Sequence, residues 1–279
     1  MAPGPLGITG ATGRLGGRIA RLLAARGVPQ RLVVRSPARA PSLTGTTVVR
    51  AEYGDRETVR AALQGLDVVL MVSAAESVNR LEEHRTFVDA AVEAGVRHLV
   101  YVSFYGAAPD ATFLLARDHY ATEQHIEGSG LRWTYLRDNL YADFLPTMAG
   151  EDGVVRGPAG DGRVSVVAQD DIAAAAVAVL AHPGGHENRI YDLTGPEALT
   201  LGEATAVMTR VLGRPFSFQD ETLDEAYASR ASYGAARWQV DAWVSTYTAI
   251  ASGELAGVSG DVERLTGRPS RSLADLLAG

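Results

Sequence analysis

The segment Thr9-Gly10-Ala11-Thr12-Gly13-Arg14-Leu15-Gly16 sets three glycines three residues apart, between an apolar run and a helical pattern. At a strand-to-helix turn each glycine has a job. Gly10 permits the tight turn, Gly13 lets backbone approach a pyrophosphate, and Gly16 lets the helix pack on the sheet. The helix N-terminus then offers unpaired N–H groups to phosphate oxygens. The second apolar run ends Val33-Val34-Arg35-Ser36, with no Asp or Glu. Sites for NAD usually place an acid there, to bond the ribose 2′-hydroxyl. The planar fork of Arg35 suits the 2′-phosphate of NADP instead, and Arg39 could add charge. Further on, Asp55 could bond an adenine amino group or cap the helix beginning near Arg56. Ser73, Ala74 and Ala75 are small enough to let backbone lie close to a ribose. Ser103 ends the fifth run, where the nicotinamide should lie.

A second group of residues could handle protons. His119 and Glu123 are four apart and share a helix face. Either the imidazole serves a substrate oxygen and the carboxylate orients it, or the two form a structural pair. Tyr105 could bond a substrate oxygen or simply pack. Phe104, Tyr105, Tyr141 and Phe144 specify an apolar, aromatic-lined cleft. No metal is expected: His119, Glu123 and His125 do not share one face, and there is no cysteine. Trp238, Trp243 and Tyr247 have helical spacing and read as core.

These residues need a frame. The chain has 279 residues, 46% hydrophobic and 21% charged, enough for a sizeable core and against disorder. Its net charge of -7 argues against broad nucleic-acid binding. The absence of cysteine removes disulfides and thiol nucleophiles. All 26 basic residues are arginine, which excludes Schiff-base chemistry on lysine. Met1–Gly10 has no basic, apolar leader pattern, and the longest apolar run, Ile172–Ala181, is too short to span a bilayer. A soluble cytoplasmic protein, without membrane association, is expected. Oligomeric state is left open, a homodimer included.

The first half alternates β-branched runs (Leu6–Thr9, Arg31–Arg35, Thr47–Ala51, Asp67–Val72, His98–Ser103, Arg132–Leu136) with amphipathic stretches. That alternation predicts βαβ units and a doubly wound parallel sheet, an α/β Rossmann-like fold. Gly27, Gly65, Gly95 and Gly128 are expected as helix C-terminal caps with positive φ. Gly150–Gly162 reads as loop, Asp170 or Asp171 as the cap of a helix over Ile172–Ala181, and the chain beyond Thr200 as mostly helical. The expected division is a nucleotide-binding domain over residues 1–142, to which 164–194 return. A smaller, mostly helical C-terminal lobe is formed by 143–163 and 195–279.

With these stretches in view, the chain resembles the atypical short-chain dehydrogenase/reductases of the NmrA-like group, and within it the bacterial type 2 NADPH:quinone oxidoreductases. The likeness rests on Thr9–Gly16, Val34–Ala40, Tyr53–Asp55, Leu70–Ser73 and Tyr101–Ser103, and continues through Asp118–Glu123, Ser129–Tyr141, Ala168–Ala176 and Ile190–Leu201. The resemblance implies NADP(H) along the C-terminal edge of the sheet, touched by Gly10, Ala11, Thr12, Gly13, Arg14, Leu15, Arg35 and Ser73–Ala75. It also implies that Asn139 and Tyr141 face the nicotinamide, and that Gln169–Ala173 line the same cleft. The activity implied is hydride transfer from NADPH to a small quinone-like acceptor, an azo compound or an enone. Two alternatives come with it: a non-catalytic NADP(H)-binding redox sensor, and a tailoring reductase of a polyketide-like product. Two positions depart from the pattern. Gly7 stands where a larger aliphatic residue is usual. Gln124 stands four residues after Tyr120, where ordinary members of the superfamily have the lysine whose charge activates the tyrosine. Tyr120 is therefore not expected to be an essential acid, and quinone reduction, whose hydroquinone anion can take a proton from water, tolerates that loss.

Overall fold

The computed structural model describes residues 4–279; the first three positions of the segment read for a leader lie outside them. Along the chain run β1 (Leu6–Thr9), α1 (Arg14–Ala25), β2 (Gln30–Val34), β3 (Thr46–Arg50), α2 (Arg56–Leu63), β4 (Val68–Val72), α3 (Arg80–Glu93), β5 (His98–Phe104), α4 (Leu114–Gly128) and β6 (Arg132–Asp138). There follow α5 (Leu145–Met148), β7 (Val154–Gly157), β8 (Arg163–Val164), α6 (Gln169–Ala181), β9 (Arg189–Leu193), β10 (Leu199–Thr200), α7 (Leu201–Leu212) and β11 (Ser217–Asp220). The chain closes with α8 (Leu223–Arg230), α9 (Arg237–Ala251), α10 (Asp261–Thr266) and α11 (Leu273–Ala278).

Seven strands form one sheet in the order β3-β2-β1-β4-β5-β6-β9. Its first six follow the doubly wound order of a dinucleotide-binding fold, and β1–β2, β1–β4, β2–β3 and β4–β5 pair in parallel. Helical crossovers cover both faces, so β1 and β5 are buried along their whole length. Gly7 has a packing reason: a Cβ there would come within 2.9 Å of Leu66 Cδ1 and 3.0 Å of Val69 Cγ2. Those neighbours already fill the space a larger first-strand residue would take.

Packing divides the chain into two units. One comprises the described residues up to Ser103, with Asp118–Arg137 and Ile172–Tyr191; the other comprises Phe104–Arg117, Asp138–Asp171 and Asp192–Gly279. The first has a core of Val33, Val69, Met71, Phe87, Leu99, Tyr101, Ile126 and Tyr135. The division falls earlier than residue 142 because Phe104, Ala111, Phe113 and Ala116 are buried in the core of the second unit, with Leu145, Val155, Met208 and Ile250. That second unit also holds strands not expected from sequence. Gly150–Gly162 is not all loop, since β7 pairs in parallel with β11.

Local signals hold with small corrections. Gly27, Gly65 and Gly95 take positive φ after their helices; Gly128 instead stays in α4, and Gly130 makes the turn at φ 81°. Helix α6 begins at Gln169, whose N–H donates to Asp143 Oδ2 at 2.8 Å, so Asp170 and Asp171 fall inside its first turn rather than capping it. Among the described residues no helix is long and apolar enough to cross a membrane.

Candidate active site

In the first unit the glycine turn follows β1. Gly10 has φ +64°, and a Cβ on it would lie 2.9 Å from Val72 Cβ. A Cβ on Gly16 would fall 2.4 Å from the Gly10 carbonyl oxygen, so only glycine lets α1 close on the turn. Gly13 is the N-cap of α1, with no side chain bonded to the helix end and no acidic residue in the first turn. No carboxylate of the first turn therefore competes at that helix end, as a pyrophosphate requires. Ala11 is buried beneath the turn, while Thr12 is half-buried and Arg14 exposed. Arg35, one residue past β2, is exposed and makes no hydrogen bond or ion pair with the described residues. These features fit a dinucleotide with a 2′-phosphate. Asp55 Oδ1 accepts the Thr58 N–H at 3.1 Å and so caps α2.

The loop after β4 is held from behind by residues that sequence reasoning missed. The Ala74 N–H donates to His84 Nε2 at 2.9 Å, and Arg80 Nε donates to the Ala74 carbonyl at 3.1 Å. With Nε2 accepting, His84 must carry its proton on Nδ1, directed at Thr122 Oγ1 2.9 Å away. Thr122 in turn donates to the Asp118 carbonyl at 2.7 Å. Below the loop, Tyr53 donates to the Val72 carbonyl at 2.7 Å, and the Val72 N–H donates to Thr9 Oγ1 at 2.9 Å. A signal was present in the sequence. Arg80 and His84 continue the buried stripe of α3 that runs on through Phe87, Val88 and Ala91.

The residues expected to move protons are turned inward. His119 and Glu123 do share the buried face of α4, but they serve different partners. His119 Nε2 lies 2.8 Å from the Arg80 guanidinium, which can only donate, so the ring proton sits on Nδ1, 2.9 Å from the Tyr101 hydroxyl. Burial, then the nearby Arg80, hold its pKa well below the usual imidazole range, and His119 is neutral. Glu123 accepts Ser103 Oγ at 2.6 Å and both Nε and Nη2 of Arg137, at 2.9 and 2.5 Å. The carboxylate therefore orients Ser103 and Arg137, not the imidazole. Gln124 is exposed and bonds Glu127 at 3.3 Å, so it replaces the lysine's charge with nothing.

The remaining candidates belong to the second unit. Asn139 is fully buried and committed to the fold. Its Nδ2 donates to Ser165 Oγ and the Leu255 carbonyl at 2.9 and 3.0 Å, and its Oδ1 accepts the Leu140 N–H at 2.8 Å. The expectation that it faces cofactor or substrate gives way to this bracing role. Tyr141 is half-buried, donates to Asp138 Oδ2 at 3.0 Å and packs edge-on against Phe144, which is 38% exposed. Asp138 itself is buried, and burial drives its carboxyl well above the usual range, offset in part by the Tyr141 bond. Phe104 packs on Phe113, with centroids 4.8 Å apart, inside the core. Tyr105 is half-buried against Gly257, where a Cβ would collide with the phenol oxygen; burial, then Asp192, raise its pKa.

The chain matches a family model described as NAD(P)H-binding over residues 10–183, and it belongs to that family. It is 38% identical over 274 residues to the (4-alkanoyl-5-oxo-2,5-dihydrofuran-3-yl)methyl phosphate reductase of Streptomyces griseus, covering 96% of this chain and 95% of that one. It is 34% identical over 273 residues to the NAD(P)H azoreductase of Xenophilus azovorans, covering 96% and 95%. The crystal structure of the NADPH-dependent quinone oxidoreductase of Escherichia coli complexed with NADPH superposes with TM-score 0.89 at 33% identity over 98% of both chains.

Proposed function

We propose that this chain is an NADPH-dependent oxidoreductase that passes hydride to a quinone or a similar conjugated acceptor. The observation that carries the reading is the full-length likeness to a quinone oxidoreductase crystallised with NADPH, joined to a glycine turn that opens a helix with no acidic residue in its first turn. When bound, NADPH supplies the hydride. The chain contributes position: the turn Gly10–Leu15 takes the pyrophosphate, Arg35 takes the 2′-phosphate, and the loop Ser73–Ala75 lies against the ribose. Holding donor and acceptor in reach supplies much of such a catalyst's rate.

The proton is handled lightly. A quinone that accepts a hydride becomes a hydroquinone anion, and one proton from water completes it. Ser103 and His119 keep the buried frame in place, because their own hydrogens are already directed at Glu123 and Tyr101. Tyr105 and Tyr141, with Phe144, offer aromatic surface to the acceptor. The test is steady-state NADPH oxidation across quinones, azo dyes and enones. Turnover with at least the quinones is expected. Binding of NADPH and NADP with different affinities, but no oxidation across the panel, would replace the enzyme with a redox sensor.

A further inference from the structure

The second unit contains a cavity of about 690 Å3 between α5, β7, α8 and α9. Its size is that of a small-molecule site rather than a packing defect. Part of its lining is aromatic: Tyr233 and Trp243 meet edge-to-face with centroids 6.1 Å apart, and the Arg230 guanidinium lies over the Tyr247 ring, 5.0 Å from its centroid. Tyr233 is 69% exposed, an aromatic ring that the chain's own packing leaves uncovered. The seat of Tyr247 is made by Gly157, since a Cβ there would fall 2.2 Å from the ring.

Two arginines complete the lining. Arg230 is buried, and four acceptors hold its guanidinium: Glu221 at 3.1 Å, the Ala226 and Arg156 carbonyls at 2.8 Å, and Ser229 Oγ at 3.1 Å. Arg156 is held beside it by Asp152 at 2.6 Å. Each arginine thus has its own carboxylate, which leaves the cavity close to neutral while keeping N–H groups in place. A bare anion gains little from such a pair of satisfied ion pairs. A flat ring carrying carbonyl oxygens gains by stacking on Tyr233 and Trp243 and by accepting from the Arg156 and Arg230 guanidinium hydrogens that their protein acceptors leave over.

We propose that this cavity binds a bicyclic aromatic molecule bearing carbonyl oxygens, of the naphthoquinone type, and that Tyr233 and Trp243 set its affinity. The choice of a quinone rests on the reductase reading; the site itself rests on the cavity. The chain has no cysteine and no lysine, so a quinone probe meets no side-chain thiol or amine to arylate.

The experiment is calorimetric titration of the NADPH-free protein with 1,4-naphthoquinone and with its 2-sulfonate, in wild type, Tyr233→Ala and Trp243→Phe. Tyr233→Ala removes an exposed ring and leaves the core intact. Both probes are expected to bind wild type with affinities within about threefold of each other, and Tyr233→Ala to weaken both by about five- to tenfold. NADPH affinity should stay unchanged in both variants. Binding that is indifferent to Tyr233 and Trp243, or absent from wild type, overturns the proposal, as does a strong preference for the sulfonate. Binding that depends on Tyr233, in a protein that oxidises no NADPH with these quinones, upholds the site and sinks the reductase reading instead.

Discussion

The Ala74 N–H donates to His84 Nε2 across 2.9 Å, and this bond links a cofactor-side loop to a helix that never touches the cofactor in the proposed arrangement. Arg80, one turn earlier on the same helix, takes the Ala74 carbonyl. The N–H and the carbonyl of one residue, in two successive peptide groups, are therefore both satisfied from α3, and the loop Ser73–Ala75 is fixed before any ligand arrives. A buried imidazole is a fitting choice for this place, since it can accept at Nε2 and donate at Nδ1 while neutral.

His84→Leu leaves the Ala74 N–H without its acceptor, at a cost of about 1–3 kcal/mol shared between loop order and stability. NADPH binding is expected to weaken by roughly tenfold. His84→Gln should recover most of that, because its Oε1 can accept the N–H and its Nε2 can donate to Thr122. Fluorescence titration with NADPH, alongside thermal melts, checks this. A melt that drops in His84→Leu while NADPH affinity holds would reduce the residue to a core part.

The same burial makes stability depend on pH in two opposed ways. Burial first, and Arg80 next, hold His84 and His119 well below the ordinary imidazole value, and burial pushes His98 down to about 4. Below about pH 6.5 the unfolded chain takes up protons that these folded sites refuse. Their contribution is therefore full above that pH and is lost as pH falls through the folded values. Asp138 has the opposite sign. Its folded pKa is raised, so the unfolded chain releases a proton that the fold keeps, and stability is lost as pH rises. Asp138→Asn keeps an acceptor for Tyr141 and removes that penalty. Its melting temperature should exceed wild type by more at about pH 8 than at about pH 4.5. An equal shift at both would refute the buried-acid account.

How far the sequence carries these conclusions depends on the range of the interactions. The glycine turn is legible because strand, turn and helix succeed one another within a few residues, so spacing alone fixes its geometry. The sequence places His119 and Glu123 on one face of α4 and Ser103 at the end of β5, but not the bond between Ser103 and Glu123. Whether Glu123 meets His119 or Ser103 depends on how α4 is rotated against β5, and periodicity says only that the face is buried. Asn139 misled for a related reason: its partners Ser165 and Leu255 lie 26 and 116 residues away. Strand β7 was hidden because it is four residues long, is set among glycines and finds its partner β11 some sixty residues later.

In the proposed arrangement, cofactor choice turns on Arg35. It is exposed and spends its donors on none of the described residues, so substitution should cost the fold almost nothing. Arg35→Asp replaces a phosphate partner with a repelling charge. Loss of a charge-assisted bond is worth about 1.5–3 kcal/mol, so NADPH affinity should fall by about ten- to a hundredfold while NADH changes little. Parallel titration with the two cofactors decides it; equal losses would move the 2′-phosphate contact elsewhere, with Arg39 the next residue to substitute.

The proton donor is the last point on which structure revises sequence. The spacing of His119 suggested a substrate-facing acid, but its Nε2 accepts from Arg80 and its Nδ1–H faces Tyr101, both inside the first unit. Ser103 spends its only hydrogen on Glu123. A group whose proton is already donated to a buried partner has none for a substrate unless that partner gives it up. His119→Gln and Ser103→Ala should therefore lower the melting temperature, since each leaves a buried partner unmatched. Both should keep kcat for quinone reduction within a few-fold of wild type, and Tyr120→Phe should do the same without the stability loss. Removal of a true general acid costs about a hundred- to ten-thousandfold. A loss of that size in one of these variants, with NADPH affinity unchanged, would name the acid and end the assignment of the final proton to water.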